Sequence, residues 1–123
     1  MTSAADALAE LHRALEAPRD GVVSTGSWRW NVRQRMTRVR DLLIRESEHP
    51  DEAWLSARRG SALRERQALL ARMGALGPEV LENPDLEQVR EHGLRLLSDI
   101  DHHLQRLRDL AYDDVALELG GSE

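Results

Sequence analysis

The longest regular pattern in the chain is a stripe of apolar residues that recurs every three or four positions towards the C-terminus. The stripe consists of Leu86, Val89, Gly93, Leu97, Ile100, Leu104, Leu107, Ala111 and Val115. This spacing matches the 3.6-residue repeat of an α-helix and not the two-residue alternation of a strand. Asn83 as a cap and Pro84 as the first residue predict where the helix begins. The sequence ELGGSE predicts a frayed tail at about 119–123.

Two segments in the first part of the chain show the same helical periodicity. The first is predicted to run from Thr2 to Ala17. Its apolar stripe is Ala4, Leu8, Leu11 and Leu15. The second is predicted to begin at Ser27, a favourable N-cap residue. Its apolar stripe is Trp28, Val32, Met36, Val39 and Leu43.

A third helical segment is predicted to open at Pro50, where Asp51 and Glu52 suit the positive end of a helix dipole. Its apolar stripe is Leu55, Ala62, Leu69, Met73 and Leu76. Gly60 leaves open whether this helix is continuous. The sequence GALGPEVLENP is predicted to close the helix, with room for a single turn inside this segment.

Four amphipathic helices with short connections predict one all-α domain over 1–123, folded as an antiparallel four-helix bundle. A composition dominated by Leu, Ala, Arg and Glu supports this prediction, because these residues favour helices. The alternative is a set of long helical hairpins that complete their core by dimerisation. The length of the fourth helix, which exceeds that of the first, keeps this alternative open.

The composition limits where in the cell the protein is expected and which kinds of site it can form. The chain has no cysteine, which excludes disulfides and zinc–thiolate sites. It has no signal-peptide pattern at its N-terminus and no apolar run near the ~18 residues that a membrane span needs. We therefore expect a soluble cytoplasmic protein without membrane contact. All 17 basic residues are arginine and phenylalanine is absent, usage typical of a G/C-rich bacterial genome. Arginine enrichment by itself is therefore weak evidence for a binding function.

The second helix concentrates arginines on the two flanks of its apolar stripe. One flank holds Arg29, Arg33 and Arg40, and the other holds Arg35, Arg38 and Arg45. A nucleic-acid-binding helix would carry arginines on its outermost face, whereas a bundle helix carries them where they reach neighbouring helices. The pattern favours pairing within the chain, with the acidic fourth helix as the partner. The isoelectric point near 5.5 also counts against nucleic-acid binding, which is kept as a minor alternative.

The outermost face of the second helix carries two large apolar residues, Trp30 and Ile44. Exposed apolar patches in small proteins mark contact surfaces. These two residues therefore predict an interface with a protein partner or with a second copy of the chain.

Three residues of the fourth helix are candidates for a metal site. His92, Asp99 and His103 lie along one flank, and Asp99 and His103 are one helical turn apart. Metal sites in bundles need such pairs repeated on facing helices, and this chain lacks the second set. Structural pairing of Asp99 with His103 is the preferred interpretation, and no metal or cofactor is expected.

Arg59 and Arg66 fall close to the apolar stripe of the third helix. A guanidinium at such a position needs a partner with opposite charge, and Asp99, Asp101 and Asp114 are the candidates. If the two arginines line a cavity instead, they would suit a carboxylate or phosphate ligand.

No catalytic signature supports an enzyme. The sequence has no Gly-rich phosphate loop, no G-x-S-x-G and no H-E-x-x-H. The sequence therefore predicts an interaction or regulatory module. A bundle that binds an anion or a metal, and an arginine-mediated nucleic-acid binder, are the alternatives.

Overall fold

The computed structural model describes residues 4–17, 24–45 and 56–121, and in the last range it describes the side chains of residues 60–109. These residues form four helices and no strand. The helices are α1 (Ala4–Glu16), α2 (Thr25–Arg45), α3 (Ser56–Glu82) and α4 (Leu86–Gly121). The prediction of an all-α fold is confirmed.

The four helices form a square in which each helix contacts its neighbours in the sequence and α4 closes the square by packing on α1. α2 and α4 therefore lie diagonally across the bundle. Neighbours run antiparallel, because the start of α2 meets the end of α3 and the start of α4 meets the end of α1. The first contact joins Arg29 to the carbonyl of Val80, and the second joins Arg90 to the carbonyl of Leu15. The protein is an antiparallel four-helix bundle.

The core confirms most of the predicted stripes. All five stripe residues of α2 are buried, as are Leu8, Leu11 and Leu15 of α1. On α4, Leu97 and Ile100 are buried as predicted, together with Leu96, which the stripe omits.

Two predicted core residues of α4, Leu104 and Leu107, are only half-buried. α1 explains the difference. Leu15 near its C-terminal end lies against Gly93. α1 has 13 residues, so at ~1.5 Å per residue it ends near the level of Leu104. Beyond that level α1 no longer covers α4.

Two helix starts differ from the prediction by the residue that caps them. Ser24, and not Ser27, caps α2, because its hydroxyl oxygen accepts a hydrogen bond from the backbone N–H of Ser27 at 3.1 Å. Asp85, and not Asn83, caps α4, because its carboxylate accepts the N–H of Gln88 at 3.2 Å. In both cases the acceptor lies three residues before the donor, as in an ordinary N-cap.

α3 is continuous through Gly60 and ends at Glu82, so it runs through most of the segment GALGPEVLENP that was predicted to close it. Gly77 and Pro78 do not end the helix. Pro78 is tolerated because the helix carbonyl that loses its bond lies at Gly74, on an exposed turn where water reaches it. The following turn is fixed by packing, since Val80 is fully buried in the core. The predicted start at Pro50, with Asp51, Glu52 and Leu55, lies outside the described residues.

α4 reaches Gly121, so the helix continues into the segment at about 119–123 that was predicted to be a frayed tail. Its 36 residues span about 54 Å. Among the described helices, none combines the length and the apolarity that crossing a membrane requires.

Candidate functional site

A ladder of charged pairs joins α3 to α4, and we call it the α3–α4 seam. Residues seven positions apart on α3 meet residues seven positions apart on α4. The pairs are Glu79–His92 at 2.6 Å, Arg72–Asp99 at 2.7 Å and Glu65–Arg106 at 2.5 Å. Acidic and basic residues alternate along each helix and face each other across the seam. Seven residues correspond to two helical turns, so the pattern holds the two helices in one register.

The seam has a buried end at His103. Its side chain is 1% exposed, and its Nδ1 lies 2.5 Å from Oε1 of Glu65. Arg106 donates to both oxygens of the same carboxylate. Partial burial alone would raise the pKa of Glu65. The hydrogen bonds and positive charges of Arg106 and His103 outweigh it, so the pKa lies below its usual value of 4.5.

The three residues predicted as metal ligands each contact a different residue of α3. His92 pairs with Glu79, Asp99 with Arg72 and His103 with Glu65. The facing helix therefore supplies a separate partner for each of the three residues, and the structural pairing of Asp99 with His103 stays a prediction. In the described part of the chain no three His, Asp or Glu side chains form a group that could hold a metal ion.

Of the two arginines predicted to bind an anion, the structure describes the side chain of only one. The side chain of Arg59 lies outside the described residues. Arg66 is half-buried, and its Nε is buried without a hydrogen-bond partner. Residues eleven positions apart on a helix point in nearly the same direction, and Gly77 faces Arg33 of α2. Arg66 therefore lies on the α2 side of α3, away from the aspartates predicted as its partners.

The described arginine contacts of α2 serve the bundle, but not through the acidic fourth helix. Arg29 donates to the carbonyl oxygens of Val80 and Asn83 at 2.9 and 3.0 Å. It thereby caps the negative end of α3. Arg38 pairs with Glu10 of α1 at 2.8 Å. The prediction of pairing with α4 is wrong for these two residues, because α2 and α4 are diagonal.

The interior offers no room for a ligand at the centre of the core. The cavity there, lined by side chains of all four helices such as Leu11, Val32, Met73 and Leu97, has a volume of about 10 Å³. That is at most the space of a single water. An open groove of about 230 Å³ lies between α3 and α4. Its Arg72, Glu79 and His92 already pair within the seam, so a ligand there would compete with these pairs.

The exposed large apolar residues of the described chain all lie on α2 and α3. They are Trp30 (64% exposed), Leu81 (49%), Leu63 (43%) and Ile44 (37%). The exposure predicted for Trp30 and Ile44 is present. The two residues are fourteen positions apart, however, or about 21 Å along the helix, so they do not form one patch. Trp30 lies at the same end of the bundle as Leu81, since its neighbour Arg29 binds the last turn of α3.

The solvent side of α3 is unusually poor in charge. A line of exposed residues runs along it at spacings of four, three, four, three and four. We call this line the α3 outer face: Arg64, Ala68, Ala71, Ala75, Pro78 and Glu82. Only its two ends are charged, and between them about three turns of helix, from Ala68 to Pro78, present small, uncharged side chains to solvent. An amphipathic bundle helix normally carries polar residues there.

Sequence reasoning missed this face because it followed only the stripe that leads to the core. The signal was present. The alanine spacing on the opposite side of α3 repeats the three-and-four rhythm of a buried stripe. α3 therefore has two such stripes, of which the bundle buries one.

Neither a protein-family model, nor a curated protein, nor a solved structure matches the chain. The geometry of the described residues therefore carries the functional argument.

Proposed function

We propose that the protein is a helical interaction module that acts by binding another polypeptide through the α3 outer face. The exposed residues Trp30, Leu63 and Leu81 enlarge this surface on the side of α2. The module is not an enzyme, and it operates in the cytoplasm.

One observation carries the proposal: α3 leaves a second apolar stripe uncovered. Exposed alanines are ordinary singly, but here Ala68, Ala71 and Ala75 form a continuous line with Pro78 at helical spacing. Large exposed apolar side chains border this line. Continuous exposed apolar surface marks binding sites, and small side chains allow a partner helix to approach the backbone closely.

The charged groups of the bundle support the same proposal, because many of them have partners inside the chain. Arg72 and Glu79 flank the α3 outer face and are held in the seam. Arg29 and Arg90 bind carbonyls at the ends of helices. These groups stabilise the bundle. The uncharged surface of α3 is therefore the part that we propose binds another molecule.

Site-specific photo-crosslinking in the producing cell tests the proposal. A photoreactive amino acid placed at Ala71 or Ala75 lies in the centre of the α3 outer face. The matched controls are Ala9 on α1 and Ser98 on α4, which are also small and exposed. Adducts are separated by mass and identified by mass spectrometry.

We expect discrete adducts from Ala71 and Ala75 and few from Ala9 and Ser98. Addition of a charged side chain by Ala68→Arg should remove the adducts while leaving the helical circular dichroism signal intact. Equal yields from the four positions would contradict the proposal, since they would show that α3 has no preferred partner.

A further inference from the structure

The α3 outer face has a symmetry that its function as a general binding surface does not require. Its spacings read the same in both directions along the helix. A two-fold axis perpendicular to α3 and passing at Met73 maps the face onto itself. It places Ala71 opposite Ala75, Ala68 opposite Pro78 and Arg64 opposite Glu82. Two-fold interfaces bring one patch onto the same patch of the second copy, and they need this kind of self-complementarity.

The charges at the two ends fit this arrangement. Arg64 and Glu82 are exposed, and within the described chain neither takes part in an ion pair with the other helices. In an antiparallel pair of α3 helices, Arg64 of each copy lies opposite Glu82 of the other. Both ends of the interface are then closed by opposite charges. A parallel pairing would instead bring Arg64 to Arg64 and Glu82 to Glu82.

Side-chain size fits the arrangement as well. Alanine and proline occupy the middle of the face, so two helices can approach to about 8 Å, the short end of the usual range. Leu63 and Leu81, which lie beside the charged ends, are half-exposed and lengthen the apolar contact. Trp30 adds to it from α2 at the Leu81 end.

From these observations we infer that the chain forms a two-fold dimer in which α3 packs antiparallel on α3 of a second copy. This inference rests on the proposed function and names its partner. A contact made mainly by one helix per copy lies at the small end of specific interfaces. The dimer is therefore concentration-dependent.

Sedimentation of full-length charge variants tests the inference. In R64E, position 64 and Glu82 of the other copy are both negative, and in E82R the facing pair is positive. Each single variant should therefore weaken dimerisation by about tenfold or more, because like charges facing each other in an interface are costly. The control variants are R95E and E91R, which make the same changes at exposed positions of α4. They should leave the dimerisation constant unchanged.

Mixing the two single variants tests most directly whether position 64 of one copy faces position 82 of the other. R64E mixed with E82R should dimerise about as well as the unmodified protein, since every facing pair again has opposite charge. The double variant R64E/E82R should also dimerise normally. Circular dichroism confirms that every variant is folded.

Three outcomes would overturn the inference: a monomer at all concentrations, a dimer that ignores R64E and E82R, or no recovery on mixing. None of them overturns the proposed function by itself. A monomer whose Ala71 crosslinks to a different protein would keep α3 as the binding surface and assign the face to that protein. Loss of crosslinks at Ala71 would refute both proposals.

Discussion

α3 carries two patterns of surface residues, one on the side of α4 and one on the solvent side. On the side of α4, charged residues recur every seven positions, and each meets a basic or acidic partner of the opposite type on α4. On the solvent side, charge occurs only at Arg64 and Glu82, with small residues between them. Both patterns repeat at helical spacing, and both sides are accessible to water. They differ in whether the described part of the same chain supplies a complementary surface.

The difference teaches how to separate structural charges from functional ones in a bundle of this kind. A charge that meets its partner within the chain, as Arg72 does, fixes the register of two helices. Arg64 and Glu82 instead lie on the same face of α3, so in the proposed dimer each of them meets the other residue of a second copy in reversed orientation. The seam therefore belongs to the fold, and the outer face belongs to the proposed function.

Substitutions in the core, which lies beneath both faces of α3, should have the largest effect on the free energy of unfolding. Ile100 is fully buried, whereas Leu104 is half-buried beyond the end of α1. Ile100→Ala should lower the free energy of unfolding by about 2–5 kcal/mol. Leu104→Ala should cost clearly less, because the space it leaves is open to solvent. Urea denaturation of both variants checks this, and equal losses would contradict the assigned limit of the core.

Two glutamates of α3 compare the seam with the outer face directly. Glu65→Ala removes a hydrogen-bond partner of the buried His103 and should cost about 1–3 kcal/mol. Glu82→Ala removes an exposed carboxylate from the α3 outer face and should change the free energy of unfolding by less than about 0.5 kcal/mol. Thermal unfolding of dilute protein, at which association contributes least, measures both. A larger loss in Glu82→Ala would remove the distinction between the two faces.

The sequence predicted the bundle well because the core stripes are long and regular. It misplaced the caps at Ser27 and Asn83, since several residues near each helix start can accept the first N–H groups. It ended α3 too early, because the burial of Val80 that holds the last turn depends on the other helices.

The seam could have been found by comparing the seven-residue repeat of charge on α3 with that on α4. The partners of single residues, such as Asp99, could not be predicted from one helix alone. Periodicity places a residue on a flank but does not say which neighbour packs there. The α3 outer face was visible as a second stripe, but its exposure follows only from the square arrangement of the helices.

Acid should weaken the seam through Glu65. The pKa of this carboxyl is below 4.5 in the folded protein, owing to Arg106 and His103. A lowered pKa means that the charged form stabilises the fold above pH 4.5, and that this contribution disappears as the pH falls through the lowered value.

We therefore expect the difference in unfolding free energy between the unmodified protein and Glu65→Gln to shrink from pH 5 towards pH 3. Arg106→Ala should begin to lose this contribution at a higher pH, because it lacks one of the groups that lower the pKa. Urea titrations across this pH range measure the effect. A difference that stays constant in acid would show that the pairs around Glu65 do not favour its charged form.

The smallest expected effect tests whether the outer face is open in the single chain. A Cβ at Gly74, beside the α3 outer face, would meet no atom within 4 Å. Gly74→Ala should therefore stabilise the dilute protein by up to about 1 kcal/mol, the difference in helix propensity between the two residues. The control is Gly93→Ala, whose Cβ would lie 2.8 Å from Cδ2 of the buried Leu15. It should destabilise the protein by about 1–3 kcal/mol, as overpacked cores do. If Gly74→Ala is destabilising as well, another part of the chain covers this side of α3, and the contrast between its two faces fails.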